Sequence, residues 1–350
     1  MPERRIKNVT LRDVAEVVGV SAMTVSRALS GKSHLLNPET AKRCREAADE
    51  LGYVPNLMAR SLRGEELHTI VMFAEFISAH HYLAEVVDAV SRSIEDRKYG
   101  VISCQSTSSL HQALRNFKLA GAVIIAPPER FYDQPLGGRS TSRERRSSAV
   151  VIHSAVHQHL FHEVSPDIEA FSYAAARHLI DLGHRHIGYL GGPRPEDEAN
   201  WFHLRRRGIE RAMRERDVPL DCLRQQACPD ADLGPAAVQQ LLTRAPQTTA
   251  VICINDEIAI AAMTGAQKLG MQVPRDFSVV GCNDIQLARF FTPALTTFKI
   301  DIRAMVETAL DLLFDQICDR RLNAGEERVR ILLPASLVTR DSTAPPPARS

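Results

Sequence analysis

No two of the seven cysteines stand in a CxxC pair, and their number is odd: Cys44, Cys104, Cys222, Cys228, Cys253, Cys282 and Cys318 are scattered along the chain. That spacing argues against a disulfide framework and against a zinc ribbon, and it fits buried thiols in a reducing compartment. No apolar run approaches the ~20 residues that cross a bilayer. The opening MPERRIKNVTL carries charge but no apolar core, so no secretory signal is expected and the chain is placed in the cytoplasm, away from membranes. Catalytic signatures are missing as well: there is no nucleophile elbow, P-loop, HExxH or paired-carboxylate motif, and GYLGGP at 188–193 lacks the GxGxxG spacing of a dinucleotide loop. No enzyme activity, cofactor or metal is expected. A net charge of only +1 also lacks the excess usual in a nucleic-acid binder.

The charge that is present is unevenly placed. Residues 1–64 hold 11 Lys/Arg against 7 Asp/Glu, and the remainder 32 against 35. A basic head on a slightly acidic body suits a protein whose head alone meets phosphate. Within that head, residues 10–31 predict two short helices around a tight turn. Thr10 is a cap with Asp13 as its reciprocal partner, and Leu11, Val14, Ala15 and Val18 share one face. Gly19 supplies the break. Ser21 caps a second helix with Val25, Ala28 and Leu29 inside and Ala22, Met23, Ser26 and Arg27 outside. This is a helix-turn-helix, whose second helix enters the major groove. Asn37, Pro38 and Gly52 bound a third helix with Ala41, Cys44, Ala48 and Leu51 as its stripe.

A chain of 350 residues predicts two or three domains. The head spans 1–54, and a short helix with linker spans 55–66, where Leu57–Leu62 has no core of its own. From 67 to 341 continuous apolar runs alternate with helical patterns, as parallel strands covered on both faces require. Strands are expected at His68–Phe73, Gly100–Cys104, Ala120–Ala126, Ala149–His153, His186–Leu190, Ala250–Ile254 and Ser278–Gly281. Helices are expected near Leu83–Asp96, Ile168–Leu182, Phe202–Arg216, Gly234–Arg244, Glu257–Leu269 and Ala304–Arg320. The Pro-rich end, 342–350, is expected to be disordered.

These features resemble the lac-repressor (LacI/GalR) family of bacterial transcription regulators. The resemblance rests on TLRDVAEVVGVSAMTVSRAL, PET at 38–40, ELGYVPNLMARSL at 50–62, HLIDLGHRHIGYLGGP, RRRG at 205–208, NDEIAIAAM, LGMQVPRDFSVVGCND, TPALTT and LPASLVTRDST, all in family order. It implies an all-α helix-turn-helix head plus hinge helix, joined to an α/β two-lobed, periplasmic-binding-protein-like body of doubly wound parallel sheets. It also implies a homodimer on a pseudo-palindromic double-stranded DNA operator, with a small effector between the lobes. That effector is a sugar, sugar acid or sugar phosphate, and the regulated genes serve carbohydrate or sugar-acid metabolism. Repression is the expected mode, with the effector controlling hinge-helix formation. A corepressed or activating regulator with a non-sugar effector is the alternative.

By the same resemblance Ala22, Met23 and Arg27 face base edges, and Thr10, Ser21, Thr24, Ser26 and Asn56 suit phosphate contact. Ser21 also reads as a plain cap, and Arg27 as a surface ion-pair partner. Leu62 is implied to wedge between base pairs in the minor groove, with Ala59 on the same face allowing close approach; packing of Leu62 on the body is the other reading. Effector contacts are implied for His81, Tyr82, Arg205, Asn255, Asp256 and Asn283. Asp256 equally suits a helix cap, His80 and His81 equally suit a plain loop, and Arg205–Arg207 also reads as a solvated face. Most relatives carry Asp where this chain has Asn283, which favours an anionic ligand. Only about 14 residues separate the strand ending near Gln105 from the one starting at Ala120, so a trimmed first lobe is expected there. The basic stretch 139–146 reads as a solvated loop or a DNA contact.

Overall fold

A computed structural model describes residues 9–29, 35–53, 67–75, 81–128, 131, 148–154, 160–191, 200–226, 228, 231–318 and 328–348. The chain divides into two units, Met1–Glu65 and Glu66–Ser350. Asn56, Ala59, Leu62, His80 and the basic stretch 139–146 lie outside the described residues.

Among the described residues the first unit holds three helices: α1 (Leu11–Val18), α2 (Ala22–Ala28) and α3 (Pro38–Glu50). The capping box forms as the sequence predicts. Asp13 Oδ2 accepts from the Thr10 backbone N–H at 2.7 Å and from its hydroxyl at 2.8 Å. Gly19 turns the chain at φ +74°, the left-handed conformation that costs a glycine least. Ser21 and Asn37 cap α2 and α3. Val14, Val18, Val25, Ala28, Ala41, Cys44 and Ala48 bury their side chains together. Arg43 donates to the Val18 carbonyl at 3.0 Å, pinning the end of α1 to α3.

The second unit carries two parallel sheets. The larger is built from β1 (Leu67–Ala74), β2 (Gly100–Cys104), β3 (Leu119–Ile125), β4 (Ser148–Ile152), β5 (His162–Pro166) and β11 (Arg330–Leu333), in the order β11-β5-β4-β3-β1-β2. Helices α4 (His81–Asp96) and α5 (Thr107–Asn116) pack on it, with α11 (Ile302–Cys318). The smaller sheet is β7-β6-β8-β9, from β6 (Ile187–Leu190), β7 (Leu223–Gln226), β8 (Ala250–Cys253) and β9 (Ser278–Val280). It is covered by α6 (Ile168–Asp181), α7 (Asn200–Arg214), α8 (Gly234–Arg244) and α9 (Asp256–Lys268), with the short α10 (Gln286–Phe290) beyond β9. Almost every residue of β1, β3, β4, β6 and β8 is buried, which explains their unbroken apolar runs.

The chain passes between the lobes three times: from β5 into α6, from β10 (Thr297–Ile300) into α11, and from β11 into β12 (Ala335–Val338), which pairs antiparallel with β10. Strand order reverses between β1 and β3 and between β6 and β8. The carboxyl ends of both sheets therefore open on the space where such folds bind ligands.

The link of about 14 residues between β2 and β3 holds the ten-residue α5, with Ser106 as cap. One expectation is corrected. The C-terminal segment is not disordered through 348. Because β9 is an edge strand, its N–H and C=O groups need partners. Ser342 supplies them: its carbonyl accepts from Val279 N–H at 2.9 Å, and its buried hydroxyl donates to the Val279 carbonyl at 2.6 Å. Farther on, the Ala344 carbonyl accepts from His184 Nε2 at 2.8 Å and from the Ser278 hydroxyl at 3.1 Å.

Candidate functional site

On the helical head, α2 turns Met23 and Arg27 outward; Met23 is 63% exposed. Ala22 is half-buried against the head's core rather than fully on the outer face. Thr10, Ser21 and Thr24 spend side-chain oxygens locally: Thr10 in the capping box, and Ser21 in accepting Thr24 N–H at 3.1 Å while sharing a hydrogen bond with its hydroxyl at 2.9 Å. Ser26 is half-buried. The surface of α2 thus offers one thioether and one guanidinium beside small hydroxyls.

In the body, the decisive side chain is Arg205. Its neighbours Arg206 and Arg207 are exposed and pair with Glu210 and Glu169, which is the solvated face the sequence allows. Arg205 alone turns inward and is 7% exposed. The spacing RxxG explains how. A β-carbon on Gly208 would lie 2.2 Å from the Glu169 carbonyl, so only glycine lets α7 close onto α6, and that packing presents Arg205 one turn earlier. Its guanidinium lies 4.9 Å from the centre of the Phe171 ring and 4.0 Å from Cys282 Sγ. Among the described residues it has no carboxylate partner, and its Nε is buried without a hydrogen bond.

Around it stand Tyr189, whose buried hydroxyl is also unpartnered, and Cys282. Burial pushes the Cys282 thiol up to about 11, with Arg205 pulling the other way and Asp256 and Glu257 adding to the rise. It is therefore a neutral thiol near pH 7. Asn283 and Asp284 follow β9 with successive positive φ values of 112° and 54°, a strained turn of the kind that gathers at binding sites. Ala126 and His153, at the carboxyl ends of β3 and β4, adopt φ 44° and 58°.

Asn255 is the cap of α9, accepting Ile258 N–H at 2.8 Å, so the cap role considered for Asp256 falls one residue earlier. Asp256 is wholly buried, taking the Thr297 hydroxyl on one oxygen and Ile285 N–H at 2.9 Å on the other. Burial raises its carboxyl to about 7 against the lowering effect of those two bonds.

From the first lobe, His81 is exposed, and its backbone N–H reaches Glu257 Oε1 of the second lobe at 3.2 Å. Tyr82 does not offer an open ring face: it is 4% exposed, packed in the first lobe's core, with its hydroxyl 3.2 Å from His153 Nδ1. Burial raises its phenol well above the ordinary range. A cavity of about 350 Å³ at the crossovers is lined among others by Glu85, Asn283, Asp284, Lys299, Asp301 and Arg303, and not by Arg205 or Glu257. Among the described residues no cluster of three or more His, Cys, Asp or Glu is arranged for a metal, and no helix is long and apolar enough to cross a membrane.

The sequence pattern of bacterial regulatory proteins of the lacI family matches residues 10–56, and that of a periplasmic binding protein-like domain matches 176–343. The chain is 32% identical over 352 residues to the HTH-type transcriptional repressor PurR of Yersinia pestis (strain Pestoides F), spanning 97% of this chain and 98% of that one. This chain belongs to the LacI family. The PurR of Pectobacterium atrosepticum is similar at 30% over 353 residues, 97% of this chain and 98% of the relative. Among solved structures, the Lac repressor dimer bound to operator and the anti-inducer ONPF superposes with a TM-score of 0.79 at 26% identity, covering 97% of this chain and 100% of that one. The regulator CelR in complex with cellobiose gives 0.66 at 25% identity, covering 95% and 99%. As a LacI-family protein the chain is a ligand-responsive, DNA-binding transcriptional regulator, and its similar relatives are regulators rather than enzymes.

Of the six effector residues expected for this LacI-family body, the structure gathers Arg205, Asn283, Asn255 and Asp256 at the carboxyl ends of the second lobe's strands and His81 and Tyr82 at the facing edge of the first. The sequence reading missed Tyr189, Cys282, His153 and Glu257. Tyr189 and Cys282 sit inside motifs already marked, GYLGGP and VVGCND, as the last inward residues before a loop. Glu257 sits inside NDEIAIAAM, directly after Asn255 and Asp256, while His153 has no local signal, since its neighbours come from distant elements.

Proposed function

We propose that this protein represses genes of carbohydrate or sugar-acid metabolism, working in the cytoplasm as a homodimer on a pseudo-palindromic operator. The effector is a sugar, sugar acid or sugar phosphate bound between the lobes. It meets Arg205, Asn255 and Asn283 from one lobe and His81 from the other, with the buried Tyr82 supporting that edge and Asp256 bracing the loop on the opposite side. The observation that carries this reading is Arg205: a buried guanidinium without a carboxylate, at the carboxyl end of a switch-point sheet, is costly unless a ligand supplies acceptors.

On the DNA side, Arg27 pairs with a guanine edge, Ala22 and Met23 pack on thymine methyls, and Thr10, Ser21, Thr24, Ser26 and Asn56 serve the phosphates. Ala59 and Leu62 belong to a hinge helix whose formation the effector controls, Leu62 wedging the minor groove. The device is a population shift: effector binding changes the angle between lobes and biases hinge-helix formation, a coupling of ~1–3 kcal/mol. Operator binding measured with and without a panel of sugars, sugar acids and sugar phosphates tests it. A compound that changes operator affinity ~5–150-fold supports the reading. Insensitivity to every compound that stabilises the body against heat overturns it.

A further inference from the structure

Arg205 is not the only polar group left over in the cleft. Three buried atoms that lack hydrogen bonds belong to its walls: Arg205 Nε, the Tyr189 hydroxyl and Glu257 Oε2. Arg205 and Tyr189 are 7% and 2% exposed, and the Glu257 side chain 16%. Glu257 opens α9 beside Asn255 and reaches the first lobe, since its other oxygen accepts from the His81 backbone and lies 3.4 Å from the His81 ring. Arg205 lies 4.0 Å from Cys282 Sγ, and Glu257 follows Asp256, whose carboxylate accepts Ile285 N–H just beyond the same turn. The two charges do not pair with each other, and the thiol of Cys282 neutralises neither. Arg205 has only the Phe171 ring face and a sulfur contact.

Buried charges of opposite sign that stay apart call for a molecule carrying the complement of each. We infer that the effector is a small acid bearing hydrogen-bond donors on its opposite side. Its anionic group takes the fork of Arg205 and the Tyr189 hydroxyl, and its hydroxyl or ammonium group takes Glu257 Oε2. Glu257 is then a specificity residue, and through His81 it is also the point where a bound donor on one lobe is felt by the other. This rests on the ligand-responsive reading above and narrows its ligand to anions with donors, setting neutral sugars aside. Hydroxyl and ammonium share the chemistry that Glu257 recognises, so gluconate, glucosaminate, glucose and glucosamine separate the contributions.

The test uses the full-length protein. Inorganic phosphate should raise the melting temperature of the native chain and fail to do so for Arg205→Gln, with Arg205→Lys intermediate because it keeps the charge but not the fork. In a thermal-shift screen over neutral sugars, sugar acids, sugar phosphates and amino acids, stabilising compounds should be acids that carry donors. For each, Glu257→Gln should weaken binding roughly tenfold or more. If Glu257 is only a repulsive bystander, the same substitution tightens binding of the acid, and the inference falls. It falls equally if a neutral sugar is the strongest stabiliser, or if phosphate does not distinguish the native chain from Arg205→Gln. Failure of the regulatory reading looks different: an acid binds in the expected way, but operator affinity does not respond to it.

Discussion

The carboxylate of Asp256 lies against the backbone of Gly281, so closely that a β-carbon there would stand 2.2 Å from Oδ1. The two residues are far apart in sequence, yet together they set where the turn after β9 begins. Leu295 and Ala259 close the same space, at 2.8 and 3.3 Å from that position. Gly281→Ala should therefore destabilise the body by ~1–3 kcal/mol, as overpacking does. Equilibrium urea unfolding measures the loss. Stability within error of the native value would mean the turn relaxes freely.

Asp256 also makes stability depend on pH. Its folded carboxyl titrates near 7 against 3.8 for the free group, because burial disfavours the charged form. A raised folded value means the unfolded chain loses this proton first. The contribution is full below about pH 4 and is lost as pH rises toward 7, on the order of 4 kcal/mol at most. Asn is nearly isosteric: its oxygen accepts Ile285 N–H, and its amide donates to the Thr297 hydroxyl. Asp256→Asn should thus gain stability relative to the native chain as pH increases from 4.5 to 7.5, read from denaturation midpoints at each pH. A constant difference would remove Asp256 as the source.

The C-terminal strap should be worth measurable stability. Ser342 is wholly buried and both donates to Val279 and accepts Thr296 N–H at 2.8 Å. Ser342→Ala leaves those two groups unpaired, for a loss of ~1–3 kcal/mol. Removing residues 342–350 should lower the melting temperature further, since Val279 N–H loses the Ser342 carbonyl and His184 loses the Ala344 carbonyl as well. Calorimetry of the two variants decides whether the strap matters in this order.

In the head, the capping box and the reading surface should separate cleanly. Asp13→Ala removes the acceptor of both Thr10 donors and should cost ~1 kcal/mol of head stability, lowering affinity for all DNA together. Arg27→Ala should leave folding intact and reduce discrimination between operator and mismatched DNA by ~1–3 kcal/mol. Competition gel shifts with both duplexes distinguish the patterns.

Leu62→Ala should weaken operator binding far more than binding to non-specific DNA, because a wedge contributes only where the duplex is kinked. Equal losses on both duplexes, titrated side by side, would show that Leu62 supports something other than a kink.

Much of this architecture was legible before any coordinates. Caps and tight turns are written in neighbouring residues: Thr10 with Asp13, Ser21 with Thr24, Asn37 before Pro38. The buried strands announce themselves because both faces are covered and every position is apolar. Among the described residues five strands go unpredicted: β5 (HEVSP) and β7 (LRQQ) are short and polar, and β10 (TFKI), β11 (RILL) and β12 (ASLV) are four-residue segments without a longer apolar run. Buried Glu163 in β5 is paired with Arg330, which reaches it at 3.2 Å from a strand more than 160 residues later, and accepts the Ser165 hydroxyl at 3.0 Å. Helix α5 escaped because its only periodic apolar residues are Leu110, Ala113 and Leu114.

What the sequence by itself determined was the local grammar: a helix-turn-helix with its outward face, alternating strands and helices, and the motifs that carry the LacI-family likeness. Tertiary structure alone decided which of three consecutive arginines is buried, which of Asn255 and Asp256 caps α9, and what covers the edge of β9. The reason is physical. Helix and strand periodicity reports which face a residue occupies, whereas the fate of a charge or an unpaired N–H depends on what stands opposite. Here Phe171, Thr297 and Ser342 come from elements distant in the chain.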